Sequence, residues 1–328
     1  IDGWLPDGEP APNLPGELSL TLRPTEVPYP GQPGFRFGLV QEQESFEPVR
    51  RALPGFTTGP DGRAEVTVAL GDIPEASHPL EAVITAAAID LGGGTARREL
   101  VLPVRRRPLA IGLKPRFDGD AVPENATAAV EVIAVDAEGA GIDRPGLAYE
   151  LFEEIVEHDW FEANGRWDYR SRVRDRRLAG GTVDAAAAQP GLIEQPVGAG
   201  RFRLEVFDRQ TGAASSLRFT AGWWVAPIAS EKPDTGELIL DKTRHAAGET
   251  ARVFVRPPYE SQVLVAVAAD RRLHSLGSRR IGPQGAFLDI PVDGAWAGGA
   301  HVLATAFAPA DPARHDAPRR ALGQAWLA

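Results

Sequence analysis

Short apolar runs broken by turn residues fill this chain, and their period of two is clearest near its end. In residues 250–256, Ala251, Val253 and Val255 fall on one face of a pleat, and Arg252, Phe254 and Arg256 on the other. This predicts a strand with at least one buried face. Residues 263–268 are apolar throughout, the pattern of a strand covered on both sides, and Asp270-Arg271-Arg272 ends it in water. Residues 285–290 and 301–307 repeat the pattern after glycine-bearing turns. No stripe of helical period is long enough to compete. Strands this short and this closely spaced predict an all-β chain of tandem antiparallel β-sandwiches of the immunoglobulin or fibronectin III kind.

The upstream residues follow the same rule. Leu18, Leu20 and Leu22 alternate with Ser19 and Thr21, and Phe35, Phe37 and Leu39 alternate with Arg36 and Gly38. Ala64, Val66 and Val68 alternate with Glu65 and Thr67 after the turn Pro60-Asp61-Gly62, predicting a further strand. Residues 82–90 and 95–104 face each other across Leu91-Gly92-Gly93-Gly94, the outline of a hairpin. A glycine triplet also suits a phosphate-cradling loop. One that sits between strands and lacks a following Lys-Ser or Lys-Thr reads as a hairpin turn. Asn164-Gly165 between aromatic-bearing arms is a strong hairpin signal, because both turn positions want positive φ. Trp160, Trp167 and Tyr169 then cluster on that ribbon, a candidate interaction surface for a sugar or a partner protein. Cross-strand packing of the hairpin against its own domain is the plainer reading of the same rings.

At 328 residues the chain is too long for one sandwich and suits about three domains of roughly 100 residues each. The expected division is a proline- and glycine-rich linker over 1–15, then domains over 16–107, 108–229 and 230–328. The first joint falls at Arg105-Arg106-Arg107-Pro108, read as a solvated linker; a protease-sensitive site or an acidic-partner patch are the alternatives. The second falls in residues 226–234, which hold Pro227 and Pro233. A hydrophobic fraction of 43% is ample for packed cores and argues against disorder as the main state. Methionine is absent and the chain begins at Ile1, so a piece of a longer protein is expected. No signal peptide is visible. The most apolar stretch, residues 82–89, is far short of the ~18 residues of a membrane span, so no direct membrane insertion by this segment is expected.

Charge and chemistry narrow the function. The formal charge of −10, without a basic stripe, makes nucleic acid a poor partner. With no cysteine there is no disulfide, thiolate metal site or cysteine nucleophile. The histidines at 78, 158, 245, 274, 301 and 315 are scattered, and none has the i, i+4 partner of a helical zinc site. No Gly-x-Ser-x-Gly elbow, phosphate loop, Ser-x-x-Lys pair or dinucleotide fingerprint occurs. Adjacent carboxylates such as Glu153-Glu154 point to opposite faces of a strand and do not converge by themselves. The expectation is a segment that is not an enzyme, with no catalytic, cofactor-binding or metal-binding residues.

Asp241-Lys242, the Gly248-Glu249-Thr250-Ala251 turn, residues 263–270, Ile290-Pro291-Val292 with Trp296, and the closing Pro318-Arg319-Arg320-Ala321-Leu322-Gly323-Gln324-Ala325-Trp326-Leu327 together resemble the bacterial alpha-2-macroglobulin family. The likeness continues through the Trp-rich Asn-Gly hairpin, Arg201-Phe202-Arg203-Leu204-Glu205-Val206 and Gly222-Trp223-Trp224. It runs more thinly through Phe35-Arg36-Phe37-Gly38-Leu39, Phe46-Glu47-Pro48 and Asp61-Gly62-Arg63-Ala64. The chain departs from the family pattern at Ala247 and Ala268, where relatives usually carry proline and glutamate.

The resemblance implies three macroglobulin-like domains, the last starting the bait-region portion, in the shell of a protease trap. In such traps a protease cuts an exposed bait, the shell rearranges, and a thioester of cysteine and glutamine captures the attacker. The thioester cannot lie in a chain without cysteine. The implied partners are target proteases, through the full-length protein, and neighbouring macroglobulin-like domains. The implied place is the periplasm or cell envelope, with any lipid anchor outside these residues. Residues 309–320 are polar, proline-rich and open to cleavage, yet match a loop that the family carries before its last strand. The rival reading is an adhesin-like module of tandem sandwiches that binds carbohydrate or protein through the aromatic hairpin.

Overall fold

The computed structural model describes residues 1–5, 8–89, 95–163, 166–225, 235–296, 298–309 and 319–328, with the backbone alone for 89, 95, 157–163 and 166–171. Among the described residues strands hold 59% and helix 2%, so the fold is all-β. The turns at Leu91-Gly92-Gly93-Gly94 and Asn164-Gly165, the second joint at 226–234, and most of the 309–320 loop lie outside the described residues.

The first unit carries β1 (Pro15–Pro24), β2 (Arg36–Phe37), α1 (Val40–Ser45), β3 (Val49–Thr57), β4 (Leu80–Ile89) and β5 (Thr95–Val104). Four of these strands form one antiparallel sheet in the order β3-β1-β4-β5, and β4 and β5 pair from Leu80↔Val104 to Ile89↔Thr95 as the hairpin reading requires. Alternation puts Leu20, Leu22, Leu80 and Ala82 on one face, where Phe46, Leu70, Ile73 and Ala76 cover them from irregular segments. The expected strand at 64–68 does not form. Ala64 instead exchanges hydrogen bonds with Ile1, and just beyond the stretch the Arg51 guanidinium donates to the carbonyls of Leu70 and Asp72. A groove of about 750 Å³ remains between this stretch and the sheet, floored by Leu18, Ile84, Ala86 and Leu100.

The second unit carries β6 (Leu109–Pro115), β7 (Ala121–Val122), β8 (Thr127–Asp136), β9 (Arg144–Ala163), β10 (Arg166–Ala185), β11 (Gly191–Pro196), β12 (Gly200–Phe207) and β13 (Ala214–Ala221). Two sheets face each other, in the orders β10-β9-β12-β13-β7 and β11-β8-β6-β2. Every pairing is antiparallel except the short contact of β13 with β7. Leu113, Val130, Val132, Leu151, Leu204 and Leu217 fill the space between, each 2% exposed or less. The fourth strand of the second sheet is β2, which belongs to the preceding unit.

The third unit carries β14 (Glu237–Leu240), β15 (Thr250–Arg256), β16 (Ser261–Ala269), β17 (Arg272–Ile281), β18 (Ala286–Pro291), β19 (Ala300–Ala308) and β20 (Arg319–Leu327). Its sheets run β14-β15-β18 and β17-β16-β19-β20, all antiparallel. Ala251, Val253 and Val255 face inward as the pleat predicts, meeting Val263, Val267, Val302 and Ala304. The expectation that β16 is covered on both faces is corrected: Val263 and Val267 are buried, while Leu264 is exposed on the far face. A run of valine and alanine fits a buried strand of either kind, so composition alone did not settle it.

Replacing Leu204, whose side chain is wholly enclosed by both sheets of the second unit, with alanine should cost about 2–5 kcal/mol, read as a lower denaturant midpoint. The same change at Leu264 should cost much less, since that side chain is already partly in water.

Candidate functional site

The chemistry-bearing side chains gather at the joints between units. Residues 36–45 leave the first unit and lie on the second. Arg36 and Phe37 pair with Leu113 and Gly112 of β6, and Phe37 packs with Tyr29, Ile133 and Val135 in a small core of its own. The sequence pattern predicted a strand over 35–39, but only two residues pair, because Gly38 turns the chain away at φ +87°. A side chain there would strike His78, whose nearest backbone atom lies 2.4 Å from an added Cβ. The Ser215 hydroxyl accepts from the Gly38 amide at 2.7 Å and donates to the Ile111 carbonyl, and the Ser216 hydroxyl accepts from the Val40 amide at 2.9 Å.

Beneath α1 lies a buried ionic network. Arg203 on β12 and Glu154 on β9 are each 3% exposed, and their side chains meet at 3.0 Å. Arg203 also pairs with Asp175 and Glu205, and its guanidinium stacks 4.8 Å over the Phe152 ring. Glu154 takes a second guanidinium, Arg218 of β13, at 2.8 Å, and Arg218 reaches Glu44 on α1. With the Gln41 amide oxygen turned inward, it lies 2.6 Å from Arg203 Nε. Burial works to lower the Arg218 pKa, but the hydrogen bonds it donates to Glu44 and Glu154 outweigh it and hold the pKa above its ordinary value.

The arginine triplet completes this joint, and the solvated-linker reading is corrected. Arg105 donates to the Pro28 carbonyl of the first unit and the Ala137 carbonyl of the second, both at 2.9 Å, and sits 4.6 Å over the Tyr29 ring. Arg106 donates back to the Ile73 and Pro74 carbonyls, and Arg107 forward to Thr211 and Gly212. Three forked donors matched to carbonyls on two units make a clamp rather than a tether.

A cavity of about 30 Å³, with room for roughly one water, lies beside the clamp and is lined by Tyr29, His78, Arg105, Arg106 and Arg107. His78 is buried with neither ring nitrogen hydrogen-bonded, its edge against Phe46. Burial holds its pKa below the ordinary value, and the Glu42 charge works the other way.

The second joint is aromatic. The Trp224 ring lies 4.9 Å from Phe287 and 5.8 Å from Phe254, and Trp223 reaches Phe287 at 5.9 Å. Arg252 stacks 4.3 Å over Phe287, and Glu237 binds Arg256 through both oxygens while lying 3.6 Å from the buried Arg201. Beyond it, Asp241 accepts from the Arg252 amide and meets the buried His245 at 2.9 Å. Gly248 and Glu249 are tied to Val292 through backbone hydrogen bonds. The sequence features quoted at 241–249 and 290–296 are thus a structural clip.

Of the aromatic residues singled out from the sequence, the backbone sets Trp160 opposite Tyr169 and Trp167 opposite Glu162 across the β9–β10 ribbon; their side chains lie outside the described residues. Sequence reasoning missed the ionic joint. Its one available signal was three charged positions, Arg203, Arg218 and Glu154, in strands otherwise rich in apolar residues. Among the described residues no group of three His, Asp or Glu side chains is placed to hold a metal ion.

Comparison with known proteins places these joints in context. The family model described as Bacterial Alpha-2-macroglobulin MG5 domain matches residues 7–105, and that of Bacterial macroglobulin domain 6 matches residues 112–223. Alpha-2-macroglobulin of Xylella fastidiosa strain 9a5c is 28% identical over 98% of this chain and 20% of its own length. That of Escherichia coli K12 is 27% identical over the same shares. The chain therefore spans about a fifth of the length of the curated relatives it matches. The native E. coli protein superimposes with a TM-score of 0.67 at 25% identity, over 99% of this chain and 21% of that one. The Salmonella protein reacted with methylamine gives 0.64 at 26%, over 98% and 21%.

Glu154→Ala should cost about 3–5 kcal/mol in denaturant unfolding, because it leaves Arg203 buried and short of a partner. Glu44→Ala, at an exposed position, should cost at most about 1 kcal/mol. A histidine held below its unfolded pKa favours its neutral form, so stability is full above about pH 6.5 and falls as the pH drops through that value. The drop in urea midpoint between pH 7 and pH 5 should accordingly be smaller in His78→Phe than in the parent chain.

Proposed function

This chain belongs to the bacterial alpha-2-macroglobulin family, and we propose that it serves as a non-catalytic structural segment of a protease trap in the bacterial envelope. The supporting observation is the first joint. A clamp of three arginines, a borrowed strand and a buried ionic network tie two consecutive macroglobulin-like units into one body. A shell that must hold a bait apart from its capture chemistry, and then rearrange as blocks, needs such rigid pairs.

In this reading the macroglobulin-like domains run over 16–107, 108–229 and 230–328, with residues 36–45 of the first docked on the second. Among the described residues the second joint brings ring faces together beside the single Arg201–Glu237 pair, and ring faces slide at lower cost than a buried ion network separates. Relative motion therefore falls there, or at joints with the rest of the polypeptide. Target proteases are engaged through the full-length protein, which acts in the periplasm or cell envelope, and no nucleic acid takes part.

The test uses the full-length protein that contains this segment. After limited digestion by a broad-specificity protease it should migrate faster on a native gel. The bound protease should keep cleaving small substrates while large ones are excluded. A protein that is simply degraded, with no change in mobility and no shielding, would sink the trap reading.

A further inference from the structure

The far face of the β17-β16-β19-β20 sheet turns outward, away from the core of the third unit. Cross-strand register brings Leu264, Leu276, Leu303, Phe307, Leu322 and Trp326 together on it. Each is 38–57% exposed, whereas the alternate residues Val263, Val267, Val302 and Ala321 are at most 1% exposed. Scattered surface leucines are ordinary, but six large apolar side chains on one sheet face, with Ser278, Thr305 and Gln324 among them, make an apolar-rich patch of the sort that marks an interface. The patch has a polar end: in one cross-strand row Arg280, Gln262, Phe307 and Arg320 lie side by side, and Arg280 is paired with Glu260.

We infer that this face is an intramolecular docking surface, covered by another domain of the same full-length polypeptide. That domain presents an apolar patch edged by carboxylates. The inference rests on the reading of this chain as part of a longer family protein. Two arguments choose this occupant over a second copy. The relatives are about five times as long as the stretch they share with this chain, so most of a family-length polypeptide is available to cover it. A tethered domain acts at an effective concentration of about millimolar, which a free second copy does not reach. Face-to-face contact of two copies would also add a second Arg320 to the interface while the row offers it no free carboxylate, Glu260 being taken by Arg280, and that costs affinity. A carboxylate edge on a tethered domain meets Arg320 instead.

The chain has no cysteine, so a thiol placed on this face is unique within the segment. Gln324→Cys replaces an exposed polar residue between Leu322 and Trp326, and Ala266→Cys sits at the centre of the face, so a folding defect in one variant leaves the other. In the intact full-length protein, before any protease is added, maleimide labelling of the peptide carrying each thiol is followed by mass spectrometry. Glu138→Cys, in an exposed turn, is the reference. Both face thiols should label at least tenfold more slowly than the reference, at every protein concentration. Adding Leu264→Glu should raise the Gln324→Cys rate towards the reference. Labelling at the reference rate would overturn the inference, and so would protection that grows with concentration, which assigns the face to a second copy. Since no protease is involved, either result leaves the trap reading untouched.

Discussion

Arg203 and Glu154 sit under α1 with almost no water, and that fixes how the first two units of this chain meet. A charge removed from solvent is tolerated only while its partners stay in place, and several of those partners come from different strands. Asp175, Glu205 and Arg218 arrive from β10, β12 and β13, but Gln41 and Glu44 come from the preceding unit. Lifting α1 would admit water to an ion network whose geometry assumes its absence. The docked position is therefore part of the second unit's own electrostatics.

Backbone geometry reinforces the same contact. Two residues of β2 extend the sheet of the second unit, and the hydroxyls of Ser215 and Ser216 satisfy the amides that follow, where the chain turns off at Gly38. The three arginines then bracket the crossing from the other side. Burial, backbone pairing and side-chain donors all favour one arrangement of the two units, with no disulfide to impose it. The second joint is of another kind: among the described residues, tryptophan and phenylalanine rings stack there beside the Arg201–Glu237 pair.

The units differ in how complete they are by themselves. The second encloses its core between two full sheets, while the first has a single sheet covered by irregular segments and the third leaves one sheet face in water. Each incomplete surface carries exposed apolar side chains among its polar ones. Such surfaces are stable in a protein that supplies the missing layer from elsewhere, and membership of a family of much longer chains is consistent with that.

The period of two was enough to fix the fold class and most of the strands, because side-chain direction in an extended chain depends only on local backbone geometry. Ala251, Val253 and Val255 face the core for that reason, and Leu80 to Ile89 find Thr95 to Val104 through adjacency in the chain. The family likeness was also legible, since it rests on motifs spread along nearly the whole chain, from Phe35-Arg36-Phe37 to Ala325-Trp326-Leu327. Three things were not. Whether residues 64–68 pair depended on which backbone groups came within reach, and at Ala64 that was Ile1. Whether 263–268 is covered on one face or two depended on what lies across the sheet. The arginine clamp and the network around Arg203 join residues up to 177 positions apart when the Gly38–Ser215 contact is counted with them. Local pattern states which way each side chain points; only the packed chain decides what it meets there.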